Sequence, residues 1–149
     1  MPWPDDDERP GPACYCGKHG CIETFLSGPG LAADYQRRGG EATTSEVVIA
    51  RAGEGDVTAR AAFEAWQTRL ARALATVINI VDPDVVVAGG GLSRIDTIYR
   101  AVPALWGRWV FSDRVDTRFV PARHGDASGV RGAAWLWQST LNDSEMIVN

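Results

Sequence analysis

Residues 14–23 read CYCGKHGCIE and hold every cysteine of the chain: Cys14, Cys16 and Cys21. Three thiols make one disulfide with one left over, or three of the four ligands of a tetrahedral zinc. Gly17 and Gly20 permit a tight loop that folds the sulfurs back on one point. The C-x-C-x4-C spacing favours zinc over the alternative, three reduced thiols in a glycine-rich turn. His19 is the nearest candidate for a fourth ligand, although a short loop can point it outwards.

Upstream, MPWPDDDERPGPA (residues 1–13) is acidic and proline-rich, without a periodic apolar face. It reads as a connecting loop that cannot close a core. Downstream, Glu23 is either a carboxylate for ligand hydroxyls or, by local reasoning more simply, a first-turn residue favouring a helix dipole. IETFLSGPGLAADYQRRGG predicts two short helices broken at Gly28, Pro29 and Gly30 and stopped at Gly39 and Gly40. Thr43 and Glu46 have capping-box spacing for a helix ending at Gly53. Residues 56–80 predict the longest helix, capped by Asp56. Its stripe is Phe63, Trp66, Leu70, Leu74, Val77, Ile78 and Val81. Arg60, Glu64, Gln67, Arg69 and Arg72 then face solvent.

VVVA at 85–88 is β-branched on both faces, as in a central parallel strand covered on both sides. Gly89, Gly90 and Gly91 follow. They either let backbone N–H groups approach a nucleotide or permit helix–strand packing. Ser93 and Asp96 can cap a further helix, DTRFVPAR reads as a second strand, and HGDASGVRGAAWLWQSTL as a turn feeding a last helix. There Asp126 or Ser128 is the candidate cap, and residues 142–149 read as a loose tail. Alternating helices and strands give α/β order.

A formal net charge of −4 over 149 residues, with one lysine, leaves no electrostatic footprint for nucleic acid. No apolar run is long enough to span a membrane, and the acidic N-terminus is unlike a signal peptide. A cytoplasmic location is the expectation. No His–Ser or His–Cys couple and no pair of carboxylates stands out as catalytic machinery.

CYCGKHGCIE resembles the C-x-C-G-x-x-G-C-x-E signature of the ROK proteins (repressors, open reading frames and sugar kinases). DPDVVVAGGGLS and GDASGVRGAAWL resemble the family's later landmarks, in the right order. The wording of the cysteine stretch is most similar to the bacterial fructokinase/mannokinase branch. The resemblance implies the C-terminal lobe of an actin/hexokinase/Hsp70-like (ribonuclease H-like) ATPase fold, incomplete, with a zinc-binding loop. It divides the chain into a connection at 1–13, a partial lobe at 14–140 with the zinc loop at 14–23, and a tail at 141–149. It implies Cys14, Cys16 and Cys21 as Zn2+ ligands, Glu23 as a sugar contact, and Gly89, Gly90 and Gly91 at the nucleotide. ATP, Mg2+ and a hexose, fructose foremost, are the implied ligands, and a homodimer is a possible assembly. The family's D-x-G-x-T phosphate loop, catalytic Asp and E-x-G-H histidine are not in these 149 residues. The expectation is therefore the C-terminal half of a sugar kinase, inactive alone. The alternative is the sugar-sensing domain of a ROK repressor.

Overall fold

The computed structural model describes residues 1–145, with side chains as far as Leu136, Asp126 excepted. Helices α1 (Ile22–Leu26), α2 (Gly28–Arg37) and α3 (Ser45–Glu54) surround the long α4 (Val57–Val81). Strand β1 (Val85–Ala88), α5 (Ile98–Trp106), β2 (Arg118–Pro121) and α6 (Ser128–Glu145) follow.

Local chemistry moves several predicted boundaries. The break after α1 is Ser27, whose Oγ accepts from Gly30 N at 3.1 Å. Gly28, Pro29 and Gly30 therefore open α2 rather than interrupt it, proline suiting the first turn, where its missing N–H costs nothing. The cap of α3 is Thr44, not Thr43, and the helix stops at Gly55 (φ 102°) rather than Gly53. Ser93 does not cap α5. It sits in the 3-10 turn Gly91–Arg94 with its Oγ donating to Gly90 O at 2.6 Å, and α5 starts after Thr97. α6 runs on to Glu145, through part of the expected tail; residues 146–149 lie outside the described residues. The expected Asp126 cap likewise lies outside the described side chains, and Ser128 Oγ donates to Gly125 O at 2.7 Å.

The largest departure is α4. Asp56 caps it as expected, accepting from Ala59 N at 2.9 Å. Yet Val77 and Val81, of the predicted stripe, are exposed, while Arg69 and Arg72 are buried. Ala59, Ala62, Ala71 and Ala75 let α1, α2, α3 and α5 pack closely around the helix. The arginine side is covered by residues 1–13, which are pinned rather than loose. Glu8, on the 3-10 turn Asp6–Glu8, is buried. Its Oε1 accepts from Arg69 Nε and Arg72 Nη2, each at 2.6 Å, and Arg72 Nη1 donates to Trp3 O. Burial alone would raise the Glu8 carboxyl, but the hydrogen bonds from Arg72 and Arg69 hold it below the ordinary range. A buried arginine is tolerated only with such partners, and they lie more than sixty residues away in sequence.

β1 and β2 are parallel, with Val86 opposite Phe119. Phe119 carries the inner face, 5.0 Å from the Tyr99 ring and 6.4 Å from Trp106. The expectation that β1 is covered on both faces does not hold among the described residues: Val87 is 56% exposed and Val85 37%.

Candidate metal centre and glycine loop

The cysteine stretch forms a hairpin. Cys14 N donates to Lys18 O at 2.8 Å, Gly17 N closes the turn on Cys14 O at 3.0 Å, and Ala13 bridges His19 antiparallel. The hairpin is held from below by backbone. Gly20 (φ 67°) donates to Pro12 O, and a Cβ on Gly11 (φ 82°) would lie 2.5 Å from Gly20 Cα. Only glycine fits there.

This geometry brings the three Sγ atoms within 4.8 Å of one another, with Cys16 and Cys21 at 3.6 Å. Zn–S bonds of 2.3 Å in a tetrahedron place sulfurs about 3.8 Å apart, so the donor set fits zinc. The thiols also compete for charge. The backbone of Lys18, then Cys14 and Cys21, lower the Cys16 thiol, while hydrogen bonding to Cys16, then Cys14, pushes Cys21 up to about 11. Three thiolates at this spacing need a cation among them. His19 is not drawn in: it is exposed on the hairpin strand, and the cluster holds only the three cysteines among the described residues.

Cys21 is the N-cap residue of α1, and Thr24 Oγ1 donates to its carbonyl at 2.7 Å. Glu23 therefore stands in the first turn of a helix rooted in the cluster. It is exposed, and its carboxylate makes no hydrogen bond or ion pair to a described residue.

Gly89, Gly90 and Gly91 are exposed at the C-terminal end of β1. Gly90 has φ 83°, and a Cβ on any of the three would meet open space. Helix–strand packing is thus not what these glycines serve here. The turn they lead into, Gly91–Arg94, abuts the turn Gly125–Ala127, and Glu46, Ile49, Leu92 and Ile95 line a cavity of about 460 Å³ beside it. The structure places the cysteines and Glu23 in the hairpin and at the start of α1, and the glycine loop after β1.

Sequence reasoning missed the buried cluster of Glu8, Asp34, Arg69 and Arg72. Its one legible trace is a pair of arginines three apart on a helix, the second flanked by Ala71 and Ala73.

The chain is 43% identical over 123 residues to N-acetyl-D-glucosamine kinase of Escherichia coli O1:K1 / APEC, a match covering 83% of this chain and 41% of that protein. Relatives of the same name in other E. coli strains match equally. The fold matches a ROK family glucokinase from Streptomyces griseus in complex with glucose and AMPPNP, with TM-score 0.74 at 24% identity, over 85% of this chain and 47% of that one. The ROK hexokinase from Thermus thermophilus matches with TM-score 0.74 at 25% identity, over 91% and 45%. A ROK family transcriptional regulator, homologous to E. coli MLC, matches with TM-score 0.62 at 24% identity, over 74% and 31%. These neighbours have the actin/hexokinase-like ATPase fold, and the chain spans about two fifths of the length of its curated relatives. The ROK family description matches residues 5–140, and the chain belongs to that family.

Proposed function

We propose that the chain forms the C-terminal part of an ATP-dependent hexose kinase. The observation that carries this is the 43% identity to N-acetyl-D-glucosamine kinase over 123 residues, 83% of this chain. Cys14, Cys16 and Cys21 hold Zn2+ in this reading, and the metal supplies rigidity to the hairpin. Glu23, free of protein partners among the described residues, accepts hydrogen bonds from sugar hydroxyls. Gly89, Gly90 and Gly91, exposed at the end of β1, present backbone N–H groups to the nucleotide. Phosphoryl transfer is mostly positioning and charge neutralisation. These residues supply positioning; the 149-residue sequence contains no D-x-G-x-T loop to hold the transferring phosphate and Mg2+. The purified chain is therefore expected to bind sugar without phosphorylating it.

The expected preference for fructose draws no support from the relatives named above, which point to glucose and N-acetylglucosamine. Calorimetry of the zinc-loaded chain with fructose, glucose and N-acetylglucosamine tests both points. Glu23→Gln should weaken hexose binding about tenfold, as loss of a charge-assisted hydrogen bond does. Absence of binding to all three sugars would overturn the reading. The sugar-sensing domain of a repressor is a second reading, favoured by the regulator among the structural neighbours. It predicts sugar binding indifferent to ATP·Mg2+, whereas the kinase reading predicts coupling between the two ligands. A cytoplasmic homodimer, with neither nucleic acid nor membrane as partner, completes the proposal. None of the described helices is long and apolar enough to cross a membrane.

A further inference from the structure

A cavity of about 460 Å³ lies between residues 7–12, part of which underlies the cysteine hairpin, the last turn of α2 and the middle of α4. Arg9, Arg37, Arg38 and Arg69 line it. Asp7, Glu8 and Asp34 stand against them, but Glu8 is also bound by Arg72 from behind. Asp34 is the pivot. One carboxylate receives Arg37 Nη2 at 3.0 Å, Arg38 Nε at 3.1 Å and Arg69 Nη1 at 2.8 Å. Three guanidinium groups thus share Asp34, of which Arg69 also pairs with Glu8, and each has five N–H donors of which most are left over. Arg69 is 4% exposed and lines the cavity, and its Nη2 makes no hydrogen bond to a described residue. The N–H of Gly11, also on the wall, likewise has no acceptor among the described residues. Four guanidiniums stand against three carboxylates on the wall, so N–H donors exceed acceptors at a site large enough for a small organic anion.

We propose that this cavity binds a small dianionic oxyanion, held by the free guanidinium edges of Arg37, Arg38 and Arg69. Forked N–H pairs match phosphate and carboxylate oxygens equally, so the class is set by charge and geometry. The inference does not rest on the kinase reading; loss of sugar binding would leave it standing.

Calorimetry at fixed ionic strength, with inorganic phosphate, glycerol 3-phosphate and malonate as probes, tests it. Saturable binding is expected with Kd on the order of 1 mM for the preferred probe. The phosphate and carboxylate arms identify the chemistry of that ligand. The double variant Arg37→Gln, Arg38→Gln lies on the solvent-facing end of α2. It should weaken binding about tenfold or more. The charge-conserving pair Arg37→Lys, Arg38→Lys should still weaken it several-fold, because the forks are lost. Arg60→Gln, on the exposed side of α4, should leave affinity unchanged. Lack of saturable binding of any probe at ten times the expected Kd would overturn the proposal, as would equal loss in Arg60→Gln or full affinity in the lysine pair.

Discussion

The two ends of the chain solve the same problem differently. Residues 1–82 wrap α4 on several sides, and even their charged groups are sealed: Glu8, Asp34, Arg69 and Arg72 are each at most 6% exposed. Residues 83–136 form a two-stranded parallel sheet with an open face, followed by a helix whose Val130, Trp135 and Leu136 stand in solvent. Parallel sheets ordinarily have both faces covered. The first region carries its specificity in pairings made within the chain. The second displays exposed apolar side chains such as Val87, Val130 and Trp135.

That contrast can be broken by mutation. The largest effect is expected in the ion cluster. Glu8→Ala removes the buried carboxylate that Arg69 and Arg72 share, leaving Arg69 only Asp34 and Arg72 only the exposed Asp5 as counter-charge among the described residues, and should cost about 3–5 kcal/mol in a denaturant titration. Its pH dependence follows. Glu8 and Asp34 titrate below the ordinary carboxylate range, because arginine hydrogen bonds outweigh burial. Their contribution is therefore complete above that range and is lost as pH falls toward the folded values. Melting temperature should drop steeply on acidification in wild type and more shallowly in Glu8→Gln. A smaller effect is expected at the hairpin base. Gly11→Ala must push Gly20 backbone away at positive φ, costing about 1–3 kcal/mol, and the displaced sulfurs should release zinc more readily to a chromophoric chelator. Smallest is the open sheet: Val87→Thr should change stability by about 0.5 kcal/mol or less, since its side chain is 56% exposed. A loss as large as that of Glu8→Ala would show that the sheet face is covered in solution.

What the sequence discloses depends on range. Cys14, Cys16 and Cys21 are close in chain, so their convergence was legible from spacing and glycine placement. The β-branched run at 85–88 and the Asp56 cap were legible for the same local reason. Burial of Arg69 and Arg72 was not, because it depends on Glu8, whose separation from them exceeds any helical period. The same blindness made residues 1–13 read as a loose connection. The open face of β1 was misread in the opposite direction: its composition describes a strand covered on both sides, and composition does not say what supplies the cover. Helix ends slipped by one to four residues wherever several Gly, Ser or Thr could serve as stops.

The tryptophans record the difference between the core and α6 in light. Trp66 and Trp106 are 2% and 3% exposed within the core, while Trp135 is 65% exposed on α6. Buried indoles should emit toward the blue and resist a polar quencher; Trp135 should emit toward the red and be quenched first. Any molecule that settles on α6 would announce itself as a blue shift and a protected fluorophore, without a label being added.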